Sequence, residues 1–278
     1  MRGRLSFSCT NIVLQHPARF HALRRVKQQS TDFNPRGVFI TATDTGVGKT
    51  LVTSALVVHL TQRGVDVGVM KPVETGVSPS TKAQSDGARL QRAAGNHDPS
   101  AEVCPYVFRL PVAPHSAARA EGTTVRVAAI LRAFRALRKK HELVVVEGVG
   151  GVHVPITGTT DVMDLVQRMR LPVIVIGRSG LGGINHALLT LHALRHNDIP
   201  ILALVLNQRL PAQTRISRAQ EQSTVSVLRR LAGIPVVGPI PYSRSVNRNW
   251  NEGMLRLAET PSIMKLAKLV KAFGRGTP

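Results

Sequence analysis

The residues best equipped for chemistry are Gly46, Gly48, Lys49 and Thr50, which close the stretch GVFITATDTGVGKT from Gly37 to Thr50. Glycines at this spacing let backbone N–H groups approach phosphate oxygens, the lysine puts a point charge on the β/γ-phosphates, and the threonine offers a hydroxyl to Mg²⁺. The loop is a variant of GxxxxGK[ST], because Thr43 stands where the first glycine belongs, with Ala42 just before it. Lys71 opens a second segment, Lys71-Pro72-Val73-Glu74-Thr75-Gly76, straight after an apolar run. A third begins where the apolar residues Val144 to Val146 deliver Glu147 into the glycine-rich Gly148-Val149-Gly150-Gly151. A carboxylate there is costly to bury unless a cation, a hydrogen-bond network or water meets it. Each motif has a plainer reading: a helix-capping turn for the loop, a solvated surface charge for Lys71, a turn with an incidental acid for Glu147. Asp86, in Ser85-Asp86-Gly87, is ambiguous by itself, since helix capping alone would explain it.

These residues need a frame. Val38, Phe39 and Ile40 read as a short buried strand, and the stripe Leu51, Ala55, Leu56, Val58 and Leu60 reads as the helix that follows. Further strands are expected at 66–70, 143–146, 172–176, 201–206 and 235–237. Segments 85–94, 125–140, 184–196, 214–231 and 263–273 have helical length and periodicity. Strands alternating with helices predict an α/β fold, a mostly parallel sheet of the P-loop NTPase type with helices on both faces, in a single domain. Such sheets bind ligands beyond the carboxyl ends of their strands, which is where all three motifs fall.

Composition narrows the function. With 278 residues and 43% hydrophobic content, the chain has the length of one large α/β domain. No apolar run approaches the roughly 20 residues of a membrane span, so no membrane partner is expected and the compartment is read as cytoplasmic. Cys9 and Cys104 lie far apart without a CxxC spacing, which indicates neither a disulfide framework nor a zinc site. The net charge of +21 argues for a polyanionic partner such as nucleic acid. Its dispersal and the 4% aromatic content argue against specific nucleic-acid recognition. Residues 1–36 carry seven Lys/Arg against Asp32, and read as a basic, disordered extension or an over-called start rather than a transit segment, although organelle targeting stays open. Residues 37–278 are expected to form the catalytic domain.

Taken in order, TATDTGVGKT (41–50), KPVETG (71–76), SDG (85–87), PYVFRLPVAPHSAA (105–118), VEGVGGVHVPI (146–156) and LGGINHALLT (181–190) resemble the dethiobiotin synthase family. The resemblance runs from about Gly37 to Ile240. It implies an ATP- and Mg²⁺-dependent cyclo-ligase that takes 7,8-diaminononanoate and CO₂ or bicarbonate to dethiobiotin, working as a homodimer. It makes Lys71 the lysine beside a substrate carbamate, with Lys49 and Thr45 completing the catalytic group. Thr75 becomes a substrate contact, and Thr50, Asp86 and Glu147 become the magnesium group. Gly46, Val47, Gly48, Lys49, Thr50 and Leu51, with Glu147, Gly148, Val149 and Gly150, would surround the phosphates. Asn207, Gln208, Pro241, Tyr242 and Ser243 would approach the adenine. Leu181, Gly182, Gly183, Ile184 and Asn185 would receive the substrate carboxylate across a dimer interface, at a helix N-terminus that favours anions.

The chain departs from the family pattern in three places. Ala42 replaces a glycine at the start of the loop, Gln208 stands where an aspartate is common, and no acid follows Tyr242 until Glu252. These changes touch the base site more than the phosphate site. Two other functions fit parts of the sequence. A chromosome-partitioning ATPase switch shares the loop, but characteristically has a lysine at the position of Asp44 and leaves 71–76 unexplained. An amidotransferase-like synthetase would need an appended glutaminase domain.

Overall fold

The computed structural model describes residues 36–274, so the expected basic extension, apart from Arg36, lies outside the described residues. In chain order the elements are β1 (Gly37–Ala42), α1 (Lys49–Thr61), β2 (Val67–Met70), β3 (Val73–Glu74), α2 (Asp86–Ala94), α3 (Ser100–Val103), β4 (Tyr106–Val107), α4 (Pro114–Ala120) and α5 (Val127–Lys140). There follow β5 (Leu143–Gly151), α6 (Val162–Met169), β6 (Val173–Arg178), α7 (Gly183–His196), β7 (Ile201–Asn207), α8 (Arg215–Leu231), β8 (Val236–Ile240), α9 (Arg244–Arg248), α10 (Trp250–Ala258) and α11 (Pro261–Gly274).

Six strands form one sheet in the order β2-β5-β1-β6-β7-β8, and every pairing is parallel. Parallel strands buried on both faces need apolar side chains at consecutive positions, which is why runs such as Val144-Val145-Val146 and Val173-Ile174-Val175-Ile176 carry no polar residue. Successive side chains point to opposite faces. Phe39, Val144, Val146, Val173, Val175 and Leu204 therefore pack against α5, α6, α7 and α8 on one side. Val38, Ile40, Val145, Ile174, Ile176 and Val205 meet α1, α10 and α11 on the other. A small parallel pair, β3 with β4, sits beside the main sheet.

The expected parallel sheet with helices on both faces is the observed one. Three local differences matter for the site. First, β5 continues through Glu147 to Gly151, with Glu147 in register with Ile40 of β1, so the acid sits inside the strand instead of leaving its end. The glycines that follow fit where side chains would collide: a Cβ on Gly148 would meet the Phe39 ring at 2.8 Å. Second, Ala42 is the last residue of β1, fully buried and paired with Ile176, so the departure from glycine lies in the strand and outside the phosphate loop. Third, the short helices α3, α4, α6, α9 and α10 fall outside the expected helical segments. The start of α6 has a legible signal, a capping box in which Asp161 and Asp164 accept each other's backbone N–H groups.

Because all six strands run the same way, their carboxyl ends share one edge. The chain leaves β1 for β2 on one side and later enters β6 on the other, which opens a crevice at the end of β1.

Candidate active site

The loop between β1 and α1 lies in that crevice. Gly46 (φ 70°) and Gly48 (φ 103°) adopt the left-handed backbone that glycine reaches without steric cost, and Gly48 is the N-cap of α1. A side chain at Gly48 would also collide with Asn207 at the end of β7, 2.2 Å from its Nδ2. Asn207, buried, donates from that Nδ2 to the Val47 carbonyl at 2.8 Å, so it braces the loop from below. Asp44 forms an ion pair with Arg178 of β6 (2.8 Å) and accepts the Thr45 N–H (2.7 Å). Thr45 and Gly46 stand exposed at the loop crest.

Lys49 is 8% exposed. Burial, followed by repulsion from the Lys71 ammonium, depresses its pKa to about 8, against the pull of Glu147, Asp86 and Asp44. Lys71 follows β2 directly and is 2% exposed, which removes the solvated reading. Its Nζ donates to Asp86 Oδ2 (2.7 Å), Glu147 Oε1 (2.7 Å) and the Gly148 carbonyl (3.2 Å). Burial alone would lower the Lys71 pKa, but Glu147 and Asp86 outweigh it and hold the ammonium well above its ordinary value. Asp86 is likewise pulled below its usual range by Lys71 in spite of burial.

Glu147 is fully buried. Its Oε1 also accepts the Thr50 hydroxyl at 2.8 Å, while its Oε2 has no hydrogen-bond partner. Asp86 and Glu147 thus converge on Lys71 from two distant segments, and Thr50 joins them from a third through Glu147. The capping question at Asp86 resolves in the same geometry. Ser85 is the cap of α2, its Oγ accepting the Ala88 N–H, which leaves the Asp86 carboxylate for Lys71.

Glu74 carries no signal in the sequence beyond its place in the segment 71–76. It is 6% exposed and accepts the backbone N–H groups of Asp86 and, at 3.0 Å, Gly87. It holds the first turn of α2 against the cleft, and its own pKa is raised by burial. The cleft over the loop has a volume of about 350 Å³, and Lys49, Thr50, Leu51, Lys71, Thr75, Asp86, Val149 and Gly150 all line it. So do Arg89 and Trp250, which no sequence motif singles out.

The residues expected near the base form a neighbouring group. Gln208 accepts the Tyr242 N–H through Oε1 (3.0 Å) and donates through Nε2 to Glu221 of α8 (3.1 Å), which also accepts the Ser179 hydroxyl. Glu221 thus brings a carboxylate from α8 to Gln208 and Ser179, with no local signal in the sequence to find it. Tyr242 Oη accepts from Asn247 Nδ2 at 2.8 Å, and Pro241 and Ser243 flank it between β8 and α9. The segment Leu181–Asn185 is not brought to the cleft within the chain. It opens α7 after β6, with Gly182 (φ 81°) as N-cap and Leu181 76% exposed.

A glycine-cradled lysine at a helix N-terminus, with a buried strand-borne acid beside it, defines a P-loop nucleotide-binding α/β protein. The fold agrees with the MinD cell-division protein of Aquifex aeolicus in its complex with MinC, at a TM-score of 0.53 and 12% identity over 87% of this chain and 97% of that one. At that identity the likeness concerns the fold. A family model described as an AAA domain matches residues 36–249. The ATP-dependent dethiobiotin synthetase of Anaeromyxobacter dehalogenans is 46% identical over 63% of this chain and 78% of its own length. That of Thermodesulfovibrio yellowstonii is 39% identical over 77% and 91%, and that of Bacillus velezensis 34% over 84% and 99%. The chain belongs to the dethiobiotin synthetase family. It is an ATP-dependent cyclo-ligase of biotin biosynthesis.

Proposed function

We propose that the chain closes the ureido ring of dethiobiotin from 7,8-diaminononanoate, CO₂ and ATP, as a homodimer. One amine of the diamine adds to CO₂ and loses a proton, giving a carbamate. A carbamate oxygen attacks the γ-phosphorus of ATP and ADP departs. The second amine then attacks the carbonyl carbon of the mixed anhydride, expels phosphate, loses a proton and closes the ring. No protein group forms a bond in this sequence, so the residues act by placement and charge.

The observation that carries the reading is Lys71, a buried ammonium at a strand end lining the same cleft as the phosphate loop. With Lys49 it can meet oxygen charge as it moves from carbamate to phosphate. Thr45 and Thr75 line the same cleft and offer hydroxyls to the substrate there. Thr50, Asp86 and Glu147 supply oxygen donors only, and Glu147 Oε2 is buried without a partner, a donor set that suits Mg²⁺. Bound there, Mg²⁺ would neutralise phosphate charge.

Nucleotide placement follows the same logic. The phosphates lie on Gly46 to Leu51 and Glu147 to Gly150, and the base lies toward Asn207, Gln208 and Pro241 to Ser243. The exposed N-terminus of α7, with Leu181 and Leu189 both more than half exposed, supports a dimer in which Leu181 to Asn185 of one protomer receive the carboxylate of substrate held by the other. Residues 37–278 act as the catalytic domain, and 1–36 as an extension dispensable for chemistry. No helix among the described residues is long and apolar enough to cross a membrane.

The test is ureido product from purified protein with ATP, Mg²⁺, bicarbonate and the diamine. ATP hydrolysis that responds to DNA and yields no diamine-dependent product would replace this reading with a partitioning-type switch. The Asp44–Arg178 pair speaks against that switch, since an acid held by an ion pair occupies the position of its second lysine.

A further inference from the structure

The cleft over the phosphate loop has a wall that none of the roles above uses. It is formed by Arg89 of α2 and Trp250, the first residue of α10. Arg89 follows Asp86 by three residues, so both lie on one face of α2, and that face borders the cleft. The Arg89 guanidinium carbon stands 4.0 Å from the centroid of the Trp250 ring. A guanidinium set over an aromatic ring is attracted to the ring's negative face, and the N–H edge of Arg89 donates to no protein acceptor among the described residues.

Charge accounting in the cleft indicates what that edge would meet. Lys71 is engaged by Asp86 and Glu147 at 2.7 Å each, so much of its charge is answered within the protein. Lys49 and Arg89 form no ion pair with a carboxylate among the described residues, and both line the cleft. A nucleoside triphosphate is a polyanion, and a cleft that is to hold it needs cations left over from internal pairing.

We propose that Arg89, held over the Trp250 ring, binds the phosphate chain of the nucleotide from the α2 wall of the cleft, as a cation additional to Lys49 and Lys71. The proposal rests on the reading of this cleft as the ATP site. Trp250 acts on the nucleotide through Arg89, as a positioning residue.

Trp250 is the only tryptophan of the chain, so its emission reports on this wall directly. MgATP is titrated into the wild type, Arg89→Lys, Arg89→Gln and Lys49→Ala, following tryptophan emission and, separately, heat. Wild-type emission should change saturably with the calorimetric midpoint. Arg89→Gln should weaken MgATP by about tenfold, the scale of one charge-assisted hydrogen bond, with Arg89→Lys falling between. Trp250→Phe keeps an aromatic face and should retain affinity within about threefold, whereas Trp250→Ala should approach Arg89→Gln. An unchanged Kd in Arg89→Gln overturns the proposal, whether or not its melting temperature falls, because that is the signature of a packing pair. Constant wild-type emission through a titration that saturates by heat also overturns it. If Lys49→Ala loses affinity while Arg89→Gln does not, the ATP reading of the cleft stands and the role of Arg89 fails. If the wild type binds no MgATP, both fail together.

Discussion

Replacing Lys71 by methionine removes a buried cation and keeps the length of the side chain. Lys71 is 2% exposed and its Nζ serves Asp86, Glu147 and the Gly148 carbonyl. Asp86 is one-third exposed, so water can replace its lost partner, but Glu147 is fully buried and would keep only the Thr50 hydroxyl. Removing one partner of a buried pair costs about 3–5 kcal/mol, and the partial access of water to Asp86 places this case near 3. For a domain of this size, that corresponds to a fall of roughly 6–12 °C in Tm. Urea unfolding should show a lower midpoint with an unchanged slope. The double variant Lys71→Met/Glu147→Gln removes the stranded charge together with the lysine and should recover about half the loss or more. A single variant as stable as the wild type, or a double variant whose losses simply add, would refute the claim that the pair is a buried charge couple. Lys71→Gln addresses catalysis. Diamine-dependent turnover should fall by roughly a hundredfold, the worth of one preorganised charge in an active site, while MgATP affinity changes far less. Wild-type turnover in this variant would remove Lys71 from the reaction.

Lys49→Ala should weaken MgATP by about tenfold or more while leaving circular dichroism native, and unchanged affinity by calorimetry would take the lysine out of the phosphate site. Asp86→Asn should require more Mg²⁺ for half-maximal rate, an effect absent if the Mg²⁺ titrations of variant and wild type superimpose. His141 hydrogen-bonds Asp66 (2.7 Å) and Asp98 (2.8 Å) beneath β2. Partial burial works to lower its pKa, but the two carboxylates outweigh it and leave it raised. The stabilisation is therefore complete below the unfolded value of about 6.5 and is lost as pH rises through the higher folded value. His141→Gln should lower Tm more at pH 6 than at pH 9, and an equal loss at both would show that packing beneath Gly68 is the whole of its contribution.

The parallel sheet is legible in the sequence because each of its strands is buried on two faces, which forces runs such as Val144 to Val146 and leaves turn residues between them. The phosphate loop is legible for a related reason. Its function depends on backbone shape, and glycines at 46 and 48 followed by Lys49 and Thr50 are a local record of that shape. Lys71 and Glu147 can be placed near it because parallel strands deliver their ends to a common edge.

Distances between segments are decided by packing alone. That Lys71 is enclosed by Asp86 and Glu147 depends on the register of β2 beside β5 and on where α2 begins, and that Glu147 and Ala42 lie inside strands depends on the pairing of β1 with β5 and β6. Glu74 holding α2, Asn207 bracing the loop and Glu221 reaching Gln208 join separate segments of the chain by one or two hydrogen bonds each. No local periodicity records such partners. Arg89 and Trp250 are the clearest instance: α2 and α10 both flank α1, and only that shared support brings a cation and an aromatic ring to one wall of the cleft. A sequence specifies what each segment can offer, whereas the burial of the sheet between its two helical layers selects which offers meet.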